Sequence, residues 1–444
     1  MSKDHKTAVT RALDDLKADV VHVGLFDYAA MFRERRLRRD DFLATLDTAV
    51  FANVPPKWDS AETIFAAGPY RSERIAVDAA SIRPYPFEAN AAAAVADYIG
   101  PQQDIMPRAV LKRQLAKAES MGFTAEAAFE FEFIVLAETA DTLRSKGFVD
   151  AALFAADNRC WSGQTAATFA PFVSDLETLL GKGGIDLYSL SGELGPGCFE
   201  ATLRHQPALR AADDAAFFRS FTKSFCRRRD LTASFMAMLG TGFPGIGGHV
   251  TISLKDAEGE NVFAAPEAEH GLSKTARAFL AGMIAGVPEG FPLCNHTVND
   301  YRRLAPGSWA PKTMSWAPYN YAAAVRTAAE TPAMTRLEFR LPGADCNPFL
   351  SLALVLATGL DGLERGLELT SAPIARGGPG EIPEGVPRLP LDLASATATF
   401  RASANARAWF GDAFVDHFAT VCEVEDAALR RAVSAEEVRR YLEG

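Results

Sequence analysis

Two glutamates sit one residue apart in FEFEFIVL, which occupies residues 129–136. A β-strand sends successive side chains to opposite faces, so Glu130 and Glu132 share one face while Phe129, Phe131 and Phe133 share the other. Two neighbouring carboxylates repel each other unless solvent, a cation or basic side chains lie across that face. Three further stretches repeat the pattern. GELGPGCFEATL at 192–203 places Glu200 and Thr202 opposite Phe199, Ala201 and Leu203. GGHVTISL at 247–254 places His249, Thr251 and Ser253 opposite Val250, Ile252 and Leu254. RLEFRL at 336–341 places Arg336, Glu338 and Arg340 opposite Leu337, Phe339 and Leu341. One alternating strand is ordinarily a solvated face. Four strands whose polar faces carry Glu, His or Arg predict a curved antiparallel sheet whose polar face lines a cavity.

With Glu193 from the neighbouring loop, these faces supply Glu130, Glu132, Glu193, Glu200, Glu338 and His249. Carboxylates with one imidazole suit hard divalent cations, Mg²⁺ or Mn²⁺, rather than zinc. Glu130 and Glu132 lie about 7 Å apart along a strand, so two neighbouring ions, one per carboxylate, accommodate both. Between residues 302 and 340 this acidic chain concentrates Arg302, Arg303, Lys312, Arg326, Arg336 and Arg340. Guanidinium forks fit carboxylate and phosphate. Metals and arginines around one cavity are the equipment of phosphoryl transfer, which needs positioning and charge neutralisation more than covalent help. The common nucleotide motifs are absent: LLGKGGID (179–186) lacks the P-loop spacing and reads as a turn, and PGIGGH (244–249) leads into a strand.

The elements that must hold these residues follow from length and pattern. At 444 residues the chain is too long for one typical core. We divide it into a small N-terminal α+β domain at 1–105 and a larger domain at 106–444. The larger one opens with the amphipathic helix PRAVLKRQLAKAESMGF. FLSLALVLATGL, from Phe349, reads as a buried helix; residues 371–390, rich in Pro and Gly, read as a long surface loop. Ser434 to Glu437 fits a capping box. A net charge of −10 argues against an extended nucleic-acid footprint. The N-terminus is a polar helical pattern without a signal-peptide apolar region. No run approaches about 18 consecutive apolar residues, so no membrane span is expected. Six cysteines without CxxC spacing point to neither a zinc site nor a disulfide framework. The expectation is a cytoplasmic protein with mostly buried thiols.

Taken in order, the motifs resemble those of the glutamine synthetase superfamily along nearly the whole chain. They are ExE at 130–132, ExGPGxxE at 193–200, GxGGH at 245–249, NxxxNxYRRLxPG at 295–307 and RLEFRLPGADxNPxL at 336–350, followed by a helical C-terminus. The resemblance implies an α+β fold: a β-grasp-like N-terminal domain before a catalytic domain whose curved antiparallel sheet is flanked by helices. It also implies homo-oligomeric rings, a dodecamer by the family pattern, with active sites between neighbours. Glu132, Glu193 and Glu200 would hold the metal nearer the amino-acid substrate; Glu130, His249 and Glu338 would hold the metal on the ATP phosphates. Arg303 and Arg340, with the Gly245 backbone, would bind glutamate. Arg326 and Arg336 would bind phosphate, with Ser253 on the nucleotide side. Asp59, in the WDS loop at 58–60, would be lent to the neighbouring subunit's site. The implied chemistry is attack of the glutamate γ-carboxylate on ATP, then displacement of phosphate from the acyl phosphate by an amine.

The departures from the family pattern sharpen this. Ammonia-using members carry a glutamate in the flap, which here reads Pro306-Gly-Ser-Trp-Ala-Pro311 with Trp309 in its place. Indole offers no base and no charge, but it does offer a flat apolar or cation–π surface. Tyr321 replaces a family arginine, Pro244 an asparagine, Cys198 a glutamine and Thr251 a histidine. All six metal ligands are kept. Residues 376–390 contain no tyrosine, so adenylylation control is not expected. The expected activity is an ATP-dependent γ-glutamyl–amine ligase acting on small molecules, with no nucleic-acid or membrane partner. Two alternatives stand beside it: glutamine synthesis from ammonia with Asp59 alone handling ammonium, and a non-catalytic structural or regulatory relative. Retention of both ligand sets speaks against the second.

Overall fold

The computed structural model describes residues 3–304, 308–375 and 386–443. After a helix at Lys3–Asp15, the N-terminal part forms a six-stranded sheet. Its Ala91–Tyr98 strand reads AAAAVADY without polar alternation because both faces are buried. Ala92, Ala94 and Ala96 join Val21, Val23 and Leu25 in one core, while Ala93 and Val95 turn into the main core of the molecule. The edge strand Phe32–Arg38 is studded with arginines, which discourage further strand pairing.

The second sheet has nine strands among the described residues, built on the long Thr124–Leu136 strand. Gly248–Lys255 pairs with it on one side and Cys198–Leu203 on the other; Arg336–Phe339 and Val325–Ala328 extend the sheet beyond Gly248–Lys255. Phe129, Phe131 and Phe133 are fully buried, and the ring of Phe131 stacks on Phe218 of the Ala208–Arg227 helix at 5.9 Å. Pairing is antiparallel as expected, with one exception: Trp316–Pro318 runs parallel to Val325–Ala328. A short connection turns the chain back there, with Tyr319 in the left-handed region at φ +52°. The apolar run from Phe349 forms the Pro348–Glu364 helix and is buried nearly all round. Asn347 caps it, accepting from the Phe349 and Leu350 N–H groups while donating to the Asp27 and Tyr28 carbonyls. Ser434 and Glu437 form the expected capping box. No helix among the described residues is long and apolar enough to cross a membrane. The six cysteines are unpaired, five of them buried.

Arg108, at the start of the Pro107–Ser120 helix, ties the N-terminal sheet to the Ala208–Arg227 helix. Its guanidinium donates to Asp78 at 2.7 Å and Asp97 at 2.8 Å on the N-terminal side, and to Asp213 at 2.8 Å on the Ala208–Arg227 helix. Removing one partner from such a buried group strands the others. Arg108→Ala is expected to destabilise the fold by roughly 3–5 kcal/mol, read as a lowered midpoint in urea. A midpoint within error of the parent would show that these ion pairs hold nothing.

Candidate active site

Strand register assembles the polar face. Glu130 stands opposite His249 on one side and Thr202 on the other, Glu132 opposite Glu200, and Glu338 between Thr251 and Arg326. One ligand atom from each of Glu130, His249 and Glu338 lies within 4.8 Å of the others. His249 Nδ1 is 3.5 Å from a Glu130 oxygen and 3.9 Å from a Glu338 oxygen. Donors bound to one small ion at about 2.1 Å stand roughly 3–4 Å from one another, so the trio fits a single hard cation. Burial, assisted by the positive charge of Arg340, holds the His249 pKa well below its usual value, leaving a neutral imidazole able to serve as a ligand. The other ring nitrogen faces Gly247, where a Cβ would lie 2.4 Å from Nε2, so only glycine fits.

Glu338 is held by Arg326 on one oxygen and Arg340 on the other. The Tyr321 ring lies against both guanidiniums, 4.7 Å from Arg326 and 5.2 Å from Arg340. Arg336 leaves this group and pairs with Glu330 at 2.8 Å. Arg303 is buried, donating to the Leu341 carbonyl at 2.8 Å and the Arg340 carbonyl at 3.2 Å, and its side chain packs against Gly245.

Glu132, Glu193 and Glu200 lie on the other flank. The Gly247 N–H donates to Glu132 at 2.9 Å, yet burial prevails and pushes Glu132 up to about 7. Burial and then the charges of Glu130, Glu132 and Glu193 push Glu200 up to about 8. Glu193 accepts from the Leu194 N–H and the Trp161 indole N–H, both at 2.8 Å, and the Cys160 thiol lies 3.2 Å from it. Burial and Glu193 push that thiol up to about 12. Cys160 and Trp161 carry no periodic or motif signal in the sequence; only the folded loop brings them to Glu193.

The remaining expected residues lie outside this group. Asp59 accepts from the Ala61 and Thr63 N–H groups at 3.0 and 2.8 Å, and the adjacent Ser60 hydroxyl bonds Glu425; no bond of Asp59 reaches the acidic cluster. Ser253 stands opposite Glu126, toward the far end of the central strand. Trp309 is half exposed, next to Pro306 and Gly307, which lie outside the described residues. Positions 376–385 of the expected surface loop also lie outside them.

Residues 104–441 match the family described as glutamine synthetase, catalytic domain. The chain is 30% identical to a glutamate–isopropylamine ligase from a Pseudomonas species over the full length of both proteins. It is 31% identical to the γ-glutamylethanolamide synthetase GlnA4 of Streptomyces coelicolor, over 82% of this chain and 78% of that one. It is 32% identical to a glutamine synthetase of Thermus thermophilus, over 76% of this chain and 75% of that one. A solved structure of GmaS without ligand superposes with a TM-score of 0.83 at 25% identity, covering 97% of this chain and 98% of that one.

Burial raises Glu132 to about 7 and Glu200 to about 8, so near neutral pH Glu132 is about half protonated and Glu200 mostly so, and a cation bound there would displace protons. Mn²⁺ affinity is expected to rise with pH from about 6 to 8.5 and to release protons. Calorimetry in buffers of different ionisation enthalpy measures this; binding without proton release would contradict these protonation states.

Proposed function

We propose, for a chain that belongs to the glutamine synthetase family and is an ATP-dependent carbon–nitrogen ligase, that it joins the side-chain carboxyl of glutamate, or a similar acid, to an organic amine. Identity alone does not choose between ammonia and an organic amine, since relatives named for each stand at 30–32%. The observation that favours the amine is Trp309. Where ammonia-using members place a glutamate, this chain presents a half-exposed indole without charge or basic lone pair. The relative matched over the full length of both chains is itself named for an organic amine.

In this reading Arg326 and Arg336 would bind phosphate and neutralise charge as the phosphoryl group moves from ATP to the acid carboxylate, with Ser253 on the nucleotide side. Arg303 and Arg340, with the Gly245 backbone, would bind the acid substrate. Two divalent ions, Mg²⁺ or Mn²⁺, held by Glu130, His249 and Glu338 and by Glu132, Glu193 and Glu200, would polarise the transferring phosphoryl oxygens. The amine then displaces phosphate from the acyl phosphate. Residues 1–105 would form the unit that carries Asp59 to a neighbouring subunit in a ring, and 106–444 the catalytic unit, in the cytoplasm.

The test is phosphate release from ATP and glutamate over a panel of ammonium, alkylamines, ethanolamine and polyamines. At least one organic amine is expected to exceed ammonium in kcat/KM, and Trp309→Glu to shift preference toward ammonium by about tenfold or more. If ammonium outperforms every amine in the parent enzyme, the proposal fails.

A further inference from the structure

Outside both sets of acids on the sheet stands another pair of carboxylates. Asp300 and Asp345 meet at Gly343, where a Cβ would fall 2.3 Å from Asp300 Oδ1 and 2.7 Å from Asp345 Oδ1. Both of these oxygens are buried, and no donor among the described residues reaches either. The other two oxygens converge on the Thr297 hydroxyl, Asp300 Oδ2 at 3.0 Å and Asp345 Oδ2 at 3.1 Å. That hydroxyl accepts from the Asp300 N–H and has one proton to give. It can therefore satisfy only one carboxylate, and a second proton is needed between the two acids. Burial and then the charge of Asp345 hold Asp300 well above its usual value, as expected where two carboxyl groups share a site.

The pair joins two segments that carry arginines of the site. Asp300 lies on the short Val298–Arg303 helix, and Asp345 lies in the connection after Arg340. Arg303 spans the same gap through the Leu341 and Arg340 carbonyls. That connection is docked on the loop before His249: the Gly248 N–H donates to the Pro342 carbonyl at 3.0 Å, and the Ala344 N–H to the Ile246 carbonyl at 3.2 Å. The charged and titratable groups facing the pair are Arg303, His296, and Arg219 and Lys223 of the Ala208–Arg227 helix. Arg219 bonds the Cys346 carbonyl, and the Nε–H groups of Arg219 and Arg303 reach no acceptor, so neither guanidinium neutralises the acids directly. We propose that Asp300 and Asp345 share one proton, and that this acid–carboxylate bond is the latch that holds Arg303 and Arg340 at their mutual spacing. The two aspartates are then positioning residues, which touch no substrate themselves. This inference rests on the reading that Arg303 and Arg340 bind the acid substrate.

Asparagine imitates the protonated member of such a pair, because its N–H donates where the acid O–H does; alanine cannot. Asp300→Asn and, separately, Asp345→Asn are expected to keep the KM for glutamate within about threefold of the parent, while Asp300→Ala and Asp345→Ala raise it about tenfold or more. The KM for ATP stays within about twofold in all four. Asparagine variants as impaired as the alanine variants would overturn the shared proton. Alanine variants that raise the KM for ATP as much as that for glutamate would reduce the pair to general support of the fold and overturn the latch. Asp345 is only partly buried, so its alanine variant carries the test where Asp300→Ala does not fold. Arg303→Lys examines the reading beneath: an unchanged KM for glutamate there removes the acid-binding role of Arg303. A raised KM in Arg303→Lys, with asparagine no better than alanine at 300 and 345, sinks the latch alone.

Discussion

Repulsion among carboxylates on one face of a sheet is the constraint the rest of the structure answers. The alternation of FEFEF drives three phenylalanines into the core and, by the same pleat, sets Glu130 and Glu132 on the opposite face. Pairing with neighbouring strands then adds Glu200, and Glu338 one strand further on. A buried charge without a partner costs several kcal/mol, and the protein meets that cost in three ways. Glu338 is paired with two arginines, Glu132 accepts a backbone N–H, and Glu132 and Glu200 are pushed toward their protonated forms. A divalent cation among Glu130, His249 and Glu338, whose ligand atoms lie within 4.8 Å of one another, would relieve the same repulsion.

The same logic accounts for the residues around the cluster. Gly247 gives its N–H to Glu132 and leaves room for the His249 ring, so one residue touches both sides of the acidic face. Tyr321 backs the two arginines whose forks hold Glu338, where a further arginine would add a third positive charge. The substitution thus relieves crowding on the arginine flank while keeping both guanidiniums in place. Asn347 and Arg108 act at a larger scale, binding the N-terminal sheet to the helices that back the catalytic one.

Much of this was legible in the sequence because a period of two records both faces of a strand at once. The apolar half identifies the core side, so the acids, histidine and arginines of four strands could be assigned to one surface. Register turned that assignment into contacts, bringing ligand atoms of Glu130, His249 and Glu338 within 4.8 Å of one another. Arg336 shows the limit: it shares a face with Glu338 and Arg340, but strand spacing carries it to Glu330 instead. Loop residues left no such trace. Asn158, Cys160 and Trp161 meet Glu193 across more than thirty residues of chain, through a turn with no periodic pattern. The parallel pairing of Trp316–Pro318 was likewise hidden, since alternation does not encode strand direction.

The polarity of the site finally links chemistry to substrate choice. An ATP-driven amide synthesis must hold several anionic oxygens together and yet admit a nucleophile that is cationic in water. Arginines alone would repel that nucleophile, and carboxylates alone would repel the phosphates. Here Glu338 is neutralised by Arg326 and Arg340 on one side of the strand that carries Glu130 and Glu132, while Glu200 lies on the other. Aromatic rings stand at both flanks: Tyr321 backs the arginines, and Trp161 is anchored to the acids. On the arginine flank the ring is spent on guanidiniums; on the acidic flank it is left uncovered. The difference between the two rings is set by the loops that carry them, since neither Tyr321 nor Trp161 lies on a strand whose register could place it.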